Sequence, residues 1–114
     1  MLRIYHNPQC KKSRTGLQYL QSRNLKFEIL EYIKYPLSEK TIEKLLVKLN
    51  MKPGEIIRKQ EEYFKKNLKG MKLNDHEWIR ILSENPKLIM RPIIEADFKA
   101  VIGDPVENID SILK

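Results

Sequence analysis

Leu2-Arg3-Ile4-Tyr5-His6-Asn7-Pro8-Gln9-Cys10-Lys11-Lys12-Ser13-Arg14 holds the one cysteine of the sequence at the junction of two patterns. Leu2, Ile4 and Tyr5 form a short apolar run that His6-Asn7-Pro8 stops, which suits a buried strand running into a loop. From about Lys11 to Ser22 the spacing is helical, with Leu17 and Leu20 on one face. The thiol therefore stands at a helix start, with Lys11, Lys12 and Arg14 after it and His6 four residues before. Such surroundings stabilise a thiolate. An ordinary cysteine of pKa near 8.5 is about 3% ionised at pH 7, and bringing it near 6.5 takes roughly 2.7 kcal/mol. A helix N-terminus gives an anion only about 0.3 to 1 kcal/mol. Basic side chains, backbone N–H groups and, as one candidate, a protonated His6 have to supply the remainder. Burial as a small inert hydrophobe is the competing reading of a lone cysteine.

Working outward, Arg23-Asn24 closes the helix, and Phe27, Ile29, Leu30, Tyr32 and Ile33 give a second strand its β-branched and aromatic content. Strand, helix and strand make a βαβ unit, with parallel strands and a right-handed crossover. The cysteine then lies at the carboxyl end of the first strand, where open parallel sheets favour sites. Pro36 ends the second strand. Ser38 can cap a helix whose apolar positions Ile42, Leu45, Leu46 and Leu49 follow an i, i+3, i+4, i+7 pattern. Asn50 to Gly54 breaks the chain, Glu55 to Arg58 suits one turn, and Tyr63, Phe64 and Leu68 suggest a short helix ending near Gly70. Asn74, with Glu77 three residues on, starts a further helix to Glu84. The end of the chain returns to strands: Leu88, Ile89 and Met90 lead into Arg91-Pro92, then Ile93-Ile94 and, past a turn at Glu95-Ala96-Asp97, Phe98 to Ile102. Asp104 as N-cap and Pro105 at the first helical position open a last helix with Val106, Ile109, Ile112 and Leu113 on its apolar face. The expected class is α/β: a β-α-β unit and a β-β-α unit, with an all-helical insertion over about 38–85, in one domain spanning 1–114.

The composition sets bounds. At 114 residues with 41% hydrophobic and 32% charged residues, the chain is long enough for one core without disulfide or metal staples. It has no apolar run fit to span a bilayer and no secretory signal, so a cytoplasmic protein with a free thiol is expected. A net charge of +7, from 22 Lys and Arg against 15 Asp and Glu, draws anions. The lysines alternate with glutamates along the helices, as in Glu39-Lys40 and Glu43-Lys44, which argues against a nucleic-acid stripe. His6 and Cys10, four apart, could be mistaken for metal ligands, but His76 is the only other His or Cys in the sequence and falls on an expected surface helix, which argues against a zinc site. No metal or bound cofactor is expected, and a monomer is.

The order of elements, with a cysteine opening the first helix and a proline before the third strand, resembles the thioredoxin-like fold. Three separated motifs narrow it: the stretch from His6 to Arg14, Ile56-Ile57-Arg58-Lys59, and Leu88-Ile89-Met90-Arg91-Pro92-Ile93-Ile94. Together they resemble the glutaredoxin-coupled arsenate reductase family along essentially the whole chain. The resemblance implies that Cys10 attacks arsenate, that His6 helps keep its thiol ionised, and that Arg58 and Arg91 hold the oxyanion. Guanidinium forks match tetrahedral oxyanions. Ser13, with the backbone N–H groups of the helix start, would complete the cradle, and Arg14 is a further candidate for binding substrate. Glutathione would serve as co-substrate and glutaredoxin as partner, because the sequence holds no second cysteine to resolve an adduct. One position departs from the resemblance: the arsenate-reducing members carry a third arginine just before the proline that opens the last helix, and this chain has Asp104. Pro92 is a candidate for a cis bond. Two other readings remain open. One is an Spx-like regulator that contacts RNA polymerase, although Cys10-Lys11-Lys12-Ser13 lacks the CxxC switch of those proteins. The other is a one-cysteine thiol transferase acting on glutathione adducts.

Overall fold

A computed structural model describes residues 2–113. The chain divides into two compact units, Met1–Tyr35 with Arg91–Lys114, and Pro36–Met90.

The first unit is built on β1 (Leu2–Tyr5), α1 (Lys11–Ser22) and β2 (Phe27–Leu30). β1 and β2 pair in parallel from Leu2 opposite Phe27 to Tyr5 opposite Leu30. The other edge of β1 takes β3 (Ile93–Glu95) antiparallel, and β3 in turn takes β4 (Ala100–Ile102). The sheet order is β2-β1-β3-β4, the thioredoxin-like arrangement. Period-two alternation sorts the faces. Ile4 and its cross-strand partner Ile94 join Leu20 of α1 and Ile109 in a fully buried cluster, flanked by Leu2, Leu17, Tyr19, Phe27, Val101 and Ile112. Arg3, Tyr5 and Glu95 share the opposite face. There the Tyr5 hydroxyl donates to Glu95 Oε1 at 2.7 Å and Arg3 Nη1 lies 3.5 Å from the same carboxylate. Burial, with the Glu95 carboxylate beside it, drives the Tyr5 pKa upward, so the phenol keeps its donor proton.

The second unit holds α2 (Glu39–Leu49) and α3 (Asp75–Glu84), which pack on each other. Local signals set their ends. Ser38 Oγ accepts from the Thr41 N–H at 3.2 Å, Asn50 ends α2 in the left-handed region (φ 56°, ψ 46°), and Asn74 with Glu77 forms a capping box. A 3₁₀ turn at Pro53–Ile56, a π-helical turn at Phe64–Leu68 and a 3₁₀ turn at Pro86–Leu88 complete it.

Four expectations need correction. β2 stops at Leu30: the Tyr35 N–H bonds to Glu31 O at 2.9 Å and closes a turn, so Tyr32 is buried within that turn and not on a strand. Glu95 belongs to β3, and the hairpin turn comes later, closed by the Ala96 N–H on Lys99 O; Phe98, at 94% exposure, stands outside the strand. Leu88–Met90 is not a strand. Leu88 ends a 3₁₀ turn and Ile89 makes a single antiparallel bridge to Ile57. Finally, Asp104 does not cap the last helix, which is a 3₁₀ helix over Val106–Ile112 with Pro105 in the cap position. The Asn108 N–H bonds to Pro105 O, so the helix begins one residue too late for the Asp104 carboxylate to serve it. That carboxylate instead lies 3.1 Å from Lys12 Nζ. Both Arg91-Pro92 and Asp104-Pro105 are cis.

Leu20→Ala would leave a cavity in the cluster of the first unit and lower unfolding stability by about 2–5 kcal/mol. Urea titration should show this as a lower midpoint with an unchanged m-value. Ser38→Ala should cost about 1 kcal/mol through loss of the α2 cap.

Candidate active site

The site begins where β1 ends. His6 continues the β1–β2 ladder by one bond, its N–H donating to Leu30 O at 2.8 Å, and from there the chain turns toward α1. Asn7 Oδ1 accepts from the Gln9 N–H at 3.1 Å and Asn7 O accepts from the Cys10 N–H at 3.0 Å, folding residues 7–10 into a tight turn. Cys10 is thereby delivered to the N-cap position of α1 in an extended conformation (φ −98°, ψ 125°), half-buried and with its thiol free.

Ser13, fully buried in the first turn of α1, ties this loop down. Its Oγ accepts from the Asn7 N–H at 2.9 Å and sits 2.7 Å from His6 Nδ1. Its backbone N–H points to the Cys10 sulfur. Burial alone would raise the Cys10 pKa. The N–H of Ser13, the hydrogen bond and charge of the Arg91 guanidinium and the N–H of Lys12 together outweigh burial and bring the thiol below its ordinary value. The structure thus brings Cys10, Ser13, His6 and Arg91 together.

His6 is 5% exposed, and burial holds its pKa below the usual histidine range despite the opposing charge of Glu31. Its imidazole is therefore neutral at pH 7, and the positive charge beside the sulfur comes from Arg91, not from the protonated histidine raised as a candidate above. Arg14 is exposed and its Nη1 donates to Pro8 O at 2.9 Å, bracing the outer side of the loop. Arg58 belongs to the second unit, where its guanidinium pairs with Glu61 and its N–H bonds to Leu88 O at 2.7 Å.

The seating of Arg91 depends on residues that sequence reasoning passed over. Pro92 is buried against Gly16 of α1, and the Gly103 N–H donates to Pro92 O at 2.8 Å. Gly16 stands in the sequence only as a glycine inside a helical run, and Gly103 as the residue before Asp104-Pro105. A glycine inside a helical pattern, where alanine is about 1 kcal/mol better, was the available signal.

This geometry can be set beside known proteins. The model of the ArsC family matches residues 5–112. The chain belongs to the ArsC family. It is 31% identical to an arsenate reductase of Neisseria meningitidis over 114 residues, covering 98% of this chain and 97% of that protein. It is 37% identical to the uncharacterized protein YfgD of Escherichia coli (strain K12), covering 98% of this chain and 96% of that one. Among solved structures, an arsenate reductase from Vibrio cholerae superposes with a TM-score of 0.92 at 32% identity, over 97% of this chain and 96% of that one. Membership in the ArsC family agrees with the thioredoxin-like sheet and with the resemblance carried by the three motifs. No helix among the described residues is long and apolar enough to cross a membrane.

Two measurements check the electrostatics. Arg91→Ala should move the pH profile of Cys10 alkylation by iodoacetamide upward, slowing the reaction about tenfold at pH values well below the pKa. Because folding depresses the His6 pKa, the neutral imidazole stabilises the fold above the unfolded value of about 6.5, and this contribution is lost as pH falls through the folded value. Urea midpoints should accordingly drop below about pH 6.5, and His6→Asn should flatten that part of the curve.

Proposed function

We propose that this ArsC-family protein is an arsenate reductase that draws its electrons from glutathione through glutaredoxin, with Cys10 as nucleophile. The observation that carries the reading is the hydrogen-bonded thiol: Cys10 at the start of α1, held between the N–H groups of Ser13 and Lys12 and the guanidinium of Arg91, with its pKa lowered. A nucleophilic sulfur surrounded by anion-binding donors suits attack on an oxyanion, since the groups that stabilise the thiolate can also take up the oxygens' charge.

In this reading the Cys10 thiolate attacks As(V), an S–As bond forms, and one arsenate oxygen leaves as water with two protons. Arg91 and the N–H groups of the helix start hold the remaining oxygens. Two electrons then reduce As(V) to As(III). They come from two thiols outside the chain, one of glutathione and one of glutaredoxin, which leave joined as a mixed disulfide while their two protons carry a second arsenic-bound oxygen away as water. Hydrolysis of the S–As(III) bond releases arsenite and returns the Cys10 thiol. With one cysteine in the sequence, the chain has no internal dithiol route. Ser13 and neutral His6 position the loop that presents the sulfur. Arg58 is assigned a role in oxyanion binding by the family resemblance, and Arg14 a supporting one through its hold on Pro8. The Lys12 ammonium is engaged by Asp104, which leaves Arg91 as the main cationic ligand at the thiol.

Arsenite formation measured with arsenate, glutathione and glutaredoxin tests the reading. Turnover is expected from the wild type and should be lost in Cys10→Ser, while Arg58→Ala should raise KM for arsenate more than it lowers kcat. Absence of turnover in the wild type, or turnover surviving in Cys10→Ser, overturns it.

A further inference from the structure

We propose that Gly16 is a positioning residue for the reacting thiol: its missing Cβ lets the Pro92 ring seat against α1, and this contact holds Arg91 against the Cys10 sulfur. The proposal deepens the reading above and rests on Cys10 being the reacting group.

A Cβ placed on Gly16 would lie 2.6 Å from Pro92 Cγ, and 3.5 and 3.7 Å from two further atoms of the ring. Unlike the end of a flexible side chain, a proline ring cannot swing aside. The ring is also met by Gly103, where an added Cβ would stand 3.1 Å from the same Pro92 Cγ and 2.6 Å from Ile94 Cδ1. The Gly103 N–H on Pro92 O, at 2.8 Å, ties the backbone there as well. Pro92 thus packs closely against two positions that both lack a Cβ.

The geometry couples this grip to the sulfur. Cys10 and Gly16 lie on one helix, about 9 Å apart along its axis at 1.5 Å per residue. Arg91 and Pro92 are consecutive residues. The Gly16–Pro92 contact and the Arg91–Cys10 hydrogen bond therefore join the same two segments, less than two helical turns apart on α1, and a retreat of the Arg91-Pro92 segment at the first is carried to the second. Relieving a 2.6 Å contact to ordinary van der Waals distance requires a retreat of about 1 Å, enough to weaken a hydrogen bond to sulfur and misplace a binding group. Glycine inside a helix costs about 1 kcal/mol relative to alanine, and its buried position here is explained by the seat it provides.

The test uses the full chain and the pH profile of Cys10 alkylation by iodoacetamide, which needs neither arsenate nor glutaredoxin. Gly16→Ala should shift the profile upward and slow alkylation about three- to tenfold at pH values well below the pKa, while circular dichroism shows the protein folded. A double-mutant cycle separates positioning from general loosening. In an Arg91→Ala background, Gly16→Ala should add almost nothing, because the group it positions is gone. Gly54→Ala, a site with nothing within 4 Å of the added Cβ, should leave the profile unmoved. An unmoved profile in folded Gly16→Ala, or a shift of equal size in the Arg91→Ala background, overturns the proposal. If Gly16→Ala does not fold, Gly103→Ala, whose added Cβ would also crowd Pro92 Cγ, carries the same cycle, with the same two overturning results. A wild-type profile centred on an ordinary thiol value would instead refute the reading of Cys10 itself.

Discussion

Partly burying a thiol makes its anion harder to form, and the first unit is arranged around the donors that offset this. Ser13 is the hub. Its hydroxyl takes the Asn7 N–H and meets His6 Nδ1, while its N–H faces Cys10. The loop between β1 and α1 is thus fixed to the first turn of the helix at three points. Removing the hydroxyl would leave buried polar groups unsatisfied, at about 1–3 kcal/mol each. The position of β1 inside the sheet, with a parallel neighbour on one edge and an antiparallel one on the other, gives the loop a rigid origin and brings Arg91, just ahead of β3, to the same end.

The helices show where stability yields to chemistry. α2 and α3 start with Ser38 and Asn74 caps and carry acidic residues in their first turns, as the helix dipole favours. α1 does the reverse: no side chain caps it, no acid lies in its first turn, and Lys11 and Lys12 stand at its positive end. A local arrangement unfavourable to the helix but favourable to an anion marks a functional site. The Lys12–Asp104 pair moderates the excess of charge, with both side chains open to solvent.

Most of the fold was legible because its signals are local. Strand-length apolar runs, the Ser38 cap, the Asn74-Glu77 box and the helical spacing of Leu17 and Leu20 each act within a few residues. The misreadings fall where tertiary structure decides. Glu95 reads as a turn residue, and only the approach of Tyr5 and Arg3 from β1 makes it a tolerable buried strand residue. Asp104-Pro105 reads as a cap and helix start, and Lys12 captures the carboxylate instead. Of the site, Cys10, Ser13 and His6 were visible as one contiguous motif. Arg91 and Arg58 were named through the resemblance, and of the two Arg91 alone also stands between apolar residues, Met90 and Pro92. The glycine inside the α1 pattern was the one hint of the Gly16–Pro92 approach, and its partner was not legible because the two segments meet from 76 positions apart.

The sheet order also determines how the protein meets its neighbours at high concentration. β2 and β4 are its outer strands, of four and three residues, too short to offer a long row of unpaired N–H and C=O groups. Outer strands are the places where a second chain can add itself and begin a fibre. Ile29 on β2 is 47% exposed, which makes that strand the stickier of the two. Its chain neighbour Glu28, held by Arg3 of β1 at 3.1 Å, places a charged pair on the opposite face of the same strand. An arriving strand would have to desolvate that pair and approach a molecule that carries seven excess positive charges. Colloidal stability is thus built into the same sheet that presents the thiol.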